Sequence, residues 1–193
     1  MNPEVSIDQL FDNARTYRFF TDRSVDDQLL ISVYEMAKFA PSSSNLSPLR
    51  ITFVRSGPEK QKVMEAASAG NKPKINSAPV VAIMAYDRQF FQFTSRLAPH
   101  MNPEEFAASD PEILEKIAFE NSWLQAGAFI IAARAHGLDC GPIGGFDKSQ
   151  IDEAFYPDGR WRSIFLLNLG YGDALKLKPR GDRLSFAEAC RLL

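Results

Sequence analysis

Residues 110–137 read D-P-E-I-L-E-K-I-A-F-E-N-S-W-L-Q-A-G-A-F-I-I-A-A-R-A-H-G, and this stretch decides the fold. Asp110 precedes Pro111, which suits the first helical position, and Glu112 places a negative charge in the first turn. The pattern predicts one helix to about His136, stopped by Gly137. Its second half, Trp123 to Ala135, is apolar around most of its circumference, which predicts burial. Ala126, Gly127, Ala128, Ala132 and Ala133 would let another backbone come close. The expectation is a central core helix, with a place at a subunit interface.

Around it, Val25–Phe39 reads as an amphipathic helix, with apolar residues at Leu29, Leu30, Val33, Met36 and Ala37. Arg50–Arg55 alternates like a strand, and Pro79–Tyr86 is an apolar run typical of a strand covered on both faces. Trp161–Tyr171 reads as another buried strand. Shorter helices are expected over Ser6–Ala14, Pro58–Ala67, Asp147–Phe155 and Ser185–Leu192. Ala69–Pro79 and Gly137–Asp147 read as loops, Lys176–Leu184 as a basic tail loop, and residues 87–109 have no clear period. The resulting class is α+β: a small mixed or antiparallel sheet packed by helices, in one domain over residues 1–193.

Composition excludes several functions. A net charge of −2 with no run of five like charges gives no field for nucleic acid or an anionic membrane. No apolar stretch approaches the ~20 residues needed to cross a bilayer. The start, M-N-P-E-V-S-I-D, has neither a basic nor an apolar leader region, so a cytoplasmic location is expected. Two cysteines and two histidines give no metal-ligand pattern. Neither a glycine-rich dinucleotide fingerprint nor a phosphate-binding Walker loop occurs. No Ser/His/Asp arrangement or carboxylate pair suggests hydrolysis, so a cofactor would carry the chemistry.

Five polar segments remain. A-R-T-Y-R-F-F (14–20) sets Arg15 and Arg18 around the Thr16 hydroxyl, a pattern that is either solvated charge or an anion clamp. A-P-S-S-S-N-L-S-P (40–48) is a stiff polar loop, either a surface turn or a binder of a flat heterocycle. Asn71 and Lys74 stand out between Ala69 and Pro79. G-P-I-G-G-F-D (141–147) leaves backbone bare enough for a ligand to lie against it. K-P-R-G-D-R-L (178–184) adds Arg180 and Arg183.

In this order four of the segments, all but that of Asn71 and Lys74, resemble the nitroreductase-like FMN oxidoreductases. A-R-T-Y-R-F-F is similar to that family's R-S-x-R-x-F phosphate segment, with Thr16 in place of serine. A-P-S-S-S-N-L-S-P is similar to A-P-S-x-x-N-x-Q-P, with Ser47 where glutamine is common. G-P-I-G-G-F-D and L-G-Y-G … K-P-R resemble its later motifs. S-A-G-N, F-E-N-S-W-L-Q-A and R-L-S-F-A-E-A-C-R-L-L are most similar to the malonic semialdehyde reductase branch, associated with pyrimidine degradation.

The resemblance implies a homodimer with FMN at the subunit interface and NADH or NADPH as hydride donor. Arg15, Thr16, Arg18, Arg180 and Arg183 would hold phosphate and ribityl chain, and Asn71 and Lys74 the ring's polar edge. Pro142, Ile143, Gly144 and Gly145 would lie along the ring, with backbone amides near N5. Pro41, Ser42, Ser43 and Asn45 would come from the other subunit. No side chain is expected to do covalent chemistry; Lys74 would act electrostatically. Phe90, Phe91 and Phe93 are expected to roof the pocket, and Arg50, Lys72 and Arg162 are candidate cations for an anionic substrate. The implied reaction is reduction of malonic semialdehyde or a similar aldehyde acid to 3-hydroxypropionate or its counterpart. A broad nitroaromatic or quinone reductase and a non-catalytic flavin-binding module are the alternatives.

Overall fold

The computed structural model describes residues 5–193; Met1–Glu4, within the expected leaderless start, lie outside the described residues. In chain order the elements are α1 (Asp27–Ala37), β1 (Leu49–Val54), α2 (Gly57–Ala66), α3 (Lys72–Ser77) and β2 (Val80–Asp87). Then follow α4 (Thr94–Leu97), α5 (Pro103–Ala107), α6 (Pro111–Ala135), β3 (Asp139–Ile143), α7 (Lys148–Phe155), β4 (Trp161–Gly170) and α8 (Phe186–Ala189).

The four strands form one antiparallel sheet in the order β1-β2-β4-β3. This resolves the mixed-or-antiparallel expectation. The apolar run in β2 has a direct cause. Val80, Ala82, Met84 and Tyr86 join the core under α1 and α6, while Val81, Ile83 and Ala85 join the core under α2, α3 and α7. A central strand covered on both faces has no polar positions to spare.

Helix α6 begins as its sequence predicts: the Asp110 carboxylate accepts from Glu112 N at 2.8 Å. Leu114, Ala118, Ser122, Ala126, Phe129 and Ala133 face the core. The expected all-round burial of its second half is corrected, because Trp123 and Leu124 are 45% and 53% exposed. The apolar circumference therefore serves two surfaces, the core and an uncovered face.

Four other expectations change. Within the Ala69–Pro79 loop, Pro73 sits in the first turn of α3, where its missing N–H costs nothing. The glycine segment contains strand β3; Pro142 is tolerated because β3 is an edge. Ser6–Ala14 shortens to one π-type turn, Asp8–Asp12; Ser6 Oγ accepts from Gln9 N at 3.1 Å, while the Gln9 side chain donates to Arg134 O at 2.8 Å. The closing helix shortens to α8, although Glu188 accepts from Ser185 N at 2.8 Å as its capping pattern predicts. Residues 87–109 resolve into a 3-10 turn, Phe90–Phe93, followed by α4 and α5. No helix is long and apolar enough to cross a membrane, and no group of His, Cys, Asp or Glu able to hold a metal occurs among the described residues.

Candidate active site

The β3 edge collects most of the polar segments. The N-terminal segment runs beside it: Thr16 pairs with Cys140, and Tyr17 N donates to Cys140 O at 3.0 Å. Glycines make this approach possible. A Cβ on Gly141 would lie 2.3 Å from Tyr17 O, and one on Gly172 would lie 2.1 Å from the Tyr17 ring. The C-terminal tail closes on the same place. Arg15 donates to Lys178 O, and Arg180 Nη2 donates to Ala14 O at 3.0 Å. Arg15, Thr16 and Arg180 are thus brought together from opposite ends of the chain, and Arg18 is exposed on the same segment. Arg183 is the exception: its Nη1 donates to Gly181 O and Asp182 O in its own loop, at 3.0 and 2.7 Å.

Beyond β3 lies a further polar group. Gly145 O accepts from Ser68 N and from Asn71 Nδ2, both at 3.0 Å. Asn71 Oδ1 accepts from Lys74 Nζ at 2.8 Å, so the ammonium is held next to the glycine backbone. Helix α3 starts directly after Asn71, carries Lys74, and is fixed from below, where the buried Asn168 donates from Nδ2 to Lys74 O at 3.1 Å. Gly144 is exposed, and a Cβ there would meet nothing within 4 Å. Pro142 is exposed on the edge, whereas the Ile143 side chain is buried, so Ile143 can offer a ligand only its backbone.

The 41–45 loop stands elsewhere, leading into β1 at the opposite edge of the sheet. Three residues in and just after it hold left-handed backbone: Ser44, Asn45 and Ser47 have φ of 47°, 59° and 45°. Such conformations are costly for residues with a Cβ and persist where surroundings fix them. Here Ser43 N donates to Asn121 Oδ1 at 2.6 Å, Asn45 Nδ2 to Leu97 O at 2.8 Å, and Ser47 N to Ser42 Oγ at 3.0 Å. Pro41 enters this loop. Four strands about 4.8 Å apart put the two edges roughly 14 Å apart, and no described hydrogen bond joins the loop to Asn71, Lys74 or Gly145.

Next to the loop is a cavity of about 970 Å³, bounded by α1, β1 and the 93–97 segment. Asn45, Ser47, Arg50, Phe93 and Arg96 lie along it. Of the expected aromatic roof, Phe93 lines this cavity, while Phe90 is fully buried in the core and Phe91 packs against the same core. Three contributors escaped sequence reasoning: Ser68, Tyr17 and Asn121. The signal for Asn121 was present, because Gln125 interrupts the apolar second half of the helix and Asn121 lies one turn before it, an i,i+4 amide pair. Gln125 Oε1 accepts from Leu49 N at 3.1 Å, so this pair anchors both ends of the loop that enters β1.

The arrangement can bind an extended anionic group with a flat polar head. Guanidinium forks sit at one end of the β3 edge, and a bare backbone with an amide and an ammonium at the other. The nitroreductase family profile matches residues 12–171. The chain belongs to the nitroreductase family. It is 46% identical to a candidate NADH dehydrogenase/NAD(P)H nitroreductase of Ralstonia nicotianae, over 100% of this chain and 98% of the relative. It is 44% identical to a similarly named protein of Polynucleobacter asymbioticus, covering 98% of this chain and 97% of the relative. Among solved structures, a nitroreductase-type protein of Exiguobacterium sibiricum in complex with FMN superposes with a TM-score of 0.84 at 22% identity, covering 97% of both chains. A Staphylococcus epidermidis NAD(P)H:FMN oxidoreductase candidate gives 0.85 at 22% identity, covering 97% of this chain and 96% of its own. These two similarities establish the shared nitroreductase fold.

Proposed function

We propose that this nitroreductase-family chain is an FMN-dependent NAD(P)H oxidoreductase that reduces malonic semialdehyde or a similar small aldehyde acid. The observation that carries the cofactor assignment is the Lys74–Asn71–Gly145 array beside the uncovered backbone of Gly144. That array suits a flat ring with polar atoms on one edge. FMN, when bound, would accept a hydride from NADH or NADPH and pass it to the oxidant.

The protein's own residues would bind and tune. Arg15 and Arg180, with the Thr16 hydroxyl and Arg18 beside them, would hold the phosphate end. Asn71 would orient the Lys74 ammonium, whose positive charge favours a ring that has gained electrons. The backbone of Pro142–Gly145 would border the ring. Arg183 would join only after its loop gives up its internal hydrogen bonds.

The two-edge arrangement supports a homodimer in which Pro41, Ser42, Ser43 and Asn45 reach the ring bound by a second copy. Exposed apolar residues on α1, α6 and the tail agree with this. Ile31, Trp123, Leu124, Leu184 and Phe186 are 51%, 45%, 53%, 71% and 63% exposed. Large apolar side chains left exposed in this number favour an interaction surface. A cytoplasmic location is part of the same proposal.

The test is a visible spectrum of purified protein before and after anaerobic NADH, then NADPH. A flavin band bleached by either donor supports the reading. A colourless protein that takes up no added FMN overturns it, and a band that neither donor bleaches favours a non-catalytic flavin-binding module. Parallel turnover with malonic semialdehyde, menadione and a nitroarene separates the aldehyde-acid reading from a broad quinone or nitro reductase.

A further inference from the structure

Three guanidinium groups surround one aromatic ring at the cavity end nearest the 41–47 loop. Arg50, Arg96 and Arg160 lie 5.2, 5.7 and 5.8 Å from the centre of Phe93. Among the described residues, one carboxylate pairs with two of them. Asp87, fully buried, accepts from Arg50 Nη2 at 2.8 Å and from Arg160 Nε and Nη2 at 2.9 Å each. It also accepts from Gln89 N at 2.9 Å, so its oxygens are filled.

The three arginines differ in what they have left to give. Arg160 lays Nε and Nη2 on Asp87. Arg50 spends Nη2 on Asp87 and Nη1 on Ser47 O and Leu49 O, at 3.0 and 2.9 Å. Burial holds the Arg50 pKa below its ordinary value, against a raising by the Asp87 carboxylate. Arg96 is exposed and makes none of the described ion pairs or hydrogen bonds. Among the described residues its fork is free, and it lines the cavity together with Phe93, Asn45 and Ser47.

We propose that Arg96 binds the carboxylate of an anionic oxidant, with Phe93 as the surface on which the chain of that oxidant rests. One free fork matches one carboxylate with two parallel hydrogen bonds. A pyrophosphate would call for more free donors than this cluster retains. Arg50 is a backing charge, and Arg162 is engaged elsewhere, with Nη1 3.4 Å from Asp152. Arg96 is tied to the loop that the proposed function sets against the flavin, because Asn45 Nδ2 donates to the carbonyl of the neighbouring Leu97 at 2.8 Å. An acid held by Arg96 is therefore registered against Asn45. The assignment rests on the proposed function for the reaction but not for the binding.

Two measurements keep the two ideas apart. Calorimetric titration of the purified protein with malonate reads carboxylate binding whether or not flavin is present. R96M should weaken it about tenfold to hundredfold, the loss of a charge-assisted pair. R96K, which keeps the charge without the fork, should fall between, and it serves as the test should R96M fail to fold. In the FMN-loaded enzyme, the kcat/KM ratio of malonic semialdehyde over propanal should drop by a similar factor in R96M. Unchanged malonate affinity overturns the proposal, as does an equal loss for the acid and for propanal. A loss confined to NADPH would assign the cluster to the dinucleotide's phosphates, and dissociation of an oligomer by R96M would assign it to another chain; either outcome also overturns it.

Discussion

Replacing Gly145 with alanine tests the candidate site with one methyl group. The new Cβ would stand 2.7 Å from Asn71 Nδ2 and 3.1 Å from Ser68 Oγ, whereas ordinary contact begins at 3.4 Å. Gly145 is not among the residues with positive φ, so the backbone tolerates alanine and the effect is steric. The Asn71 amide must retreat, and its bonds to Gly145 O and Ser68 Oγ, both 3.0 Å, go with it. Lys74 then loses its 2.8 Å anchor on Asn71 Oδ1. Three exposed or partly exposed hydrogen bonds at about 0.5–1.5 kcal/mol each bound the stability loss, and water recovers most of it, leaving about 1 kcal/mol. The larger effect falls on the ligand: FMN affinity, read by quenching of flavin fluorescence, should weaken about tenfold to hundredfold. Gly144→Ala is the companion. Its Cβ meets nothing in the chain, so the apo melting temperature should stay put while FMN binding weakens. If both variants bound FMN as tightly as the parent, the glycine backbone would not border the ring and the site assignment would fail.

Three further outcomes are expected. Gly172→Ala would drive a Cβ to within 2.1–2.3 Å of the Tyr17 ring, and overpacking of this kind should cost about 1–3 kcal/mol in urea unfolding. Asp87→Ala would leave Arg50 and Arg160 without their shared carboxylate; because their side chains are 18% and 28% exposed, the loss should sit near the lower end of the ~3–5 kcal/mol seen for broken buried pairs. Asp139 has its pKa raised by burial, against a lowering from the Gly172 N–H. Its ionised form is thus disfavoured in the fold, and the cost is absent below the unfolded carboxylate pKa and grows as pH rises through the folded one. Asp139→Asn, which keeps an acceptor for Gly172 N at the 2.8 Å position, should raise the melting temperature at pH 7 and leave it unchanged near pH 3.

What was legible in the sequence follows from how local each cause is. The start of α6 was readable because Asp110, Pro111 and Glu112 act on their own turn. The strand β2 was readable because burial on both faces leaves its run from Val80 to Ala85 wholly apolar. The strand β3 was not, since D-C-G-P-I owes its extended form to β4 on one side and Thr16 on the other, partners nearly thirty and more than a hundred residues away. Its glycines advertise flexibility in the sequence, yet Gly141 is there so that Tyr17 O can lie against the backbone. The short α3 was hidden for a similar reason: Asn71, Lys72 and Pro73 look like loop, and the helix is held by Asn168 from below. Arginine roles were the least legible. The sequence shows four arginines in two basic segments, but only side-chain geometry separates Arg180, which reaches back to Ala14, from Arg183, which closes its own loop.

The same geometry explains why the loop at 41–47 is built so stiffly. Left-handed backbone at Ser44, Asn45 and Ser47 has a conformational cost, and glycine would remove it. The chain instead retains residues with side chains and holds them from α6, through Asn121, and from α4, through Leu97 O. A loop that served only to turn into β1 would gain nothing from such fixation. A loop that must present Asn45 and Ser47 at set positions to something outside its own protomer gains a preorganised surface. On the proposed reading that partner is a flavin held at the β3 edge of a second copy. Arg96 is linked to this surface through Asn45 and Leu97. A displacement of the loop would then move the carboxylate-binding group with it, so cofactor contact and substrate recognition would be set by one rigid piece of chain.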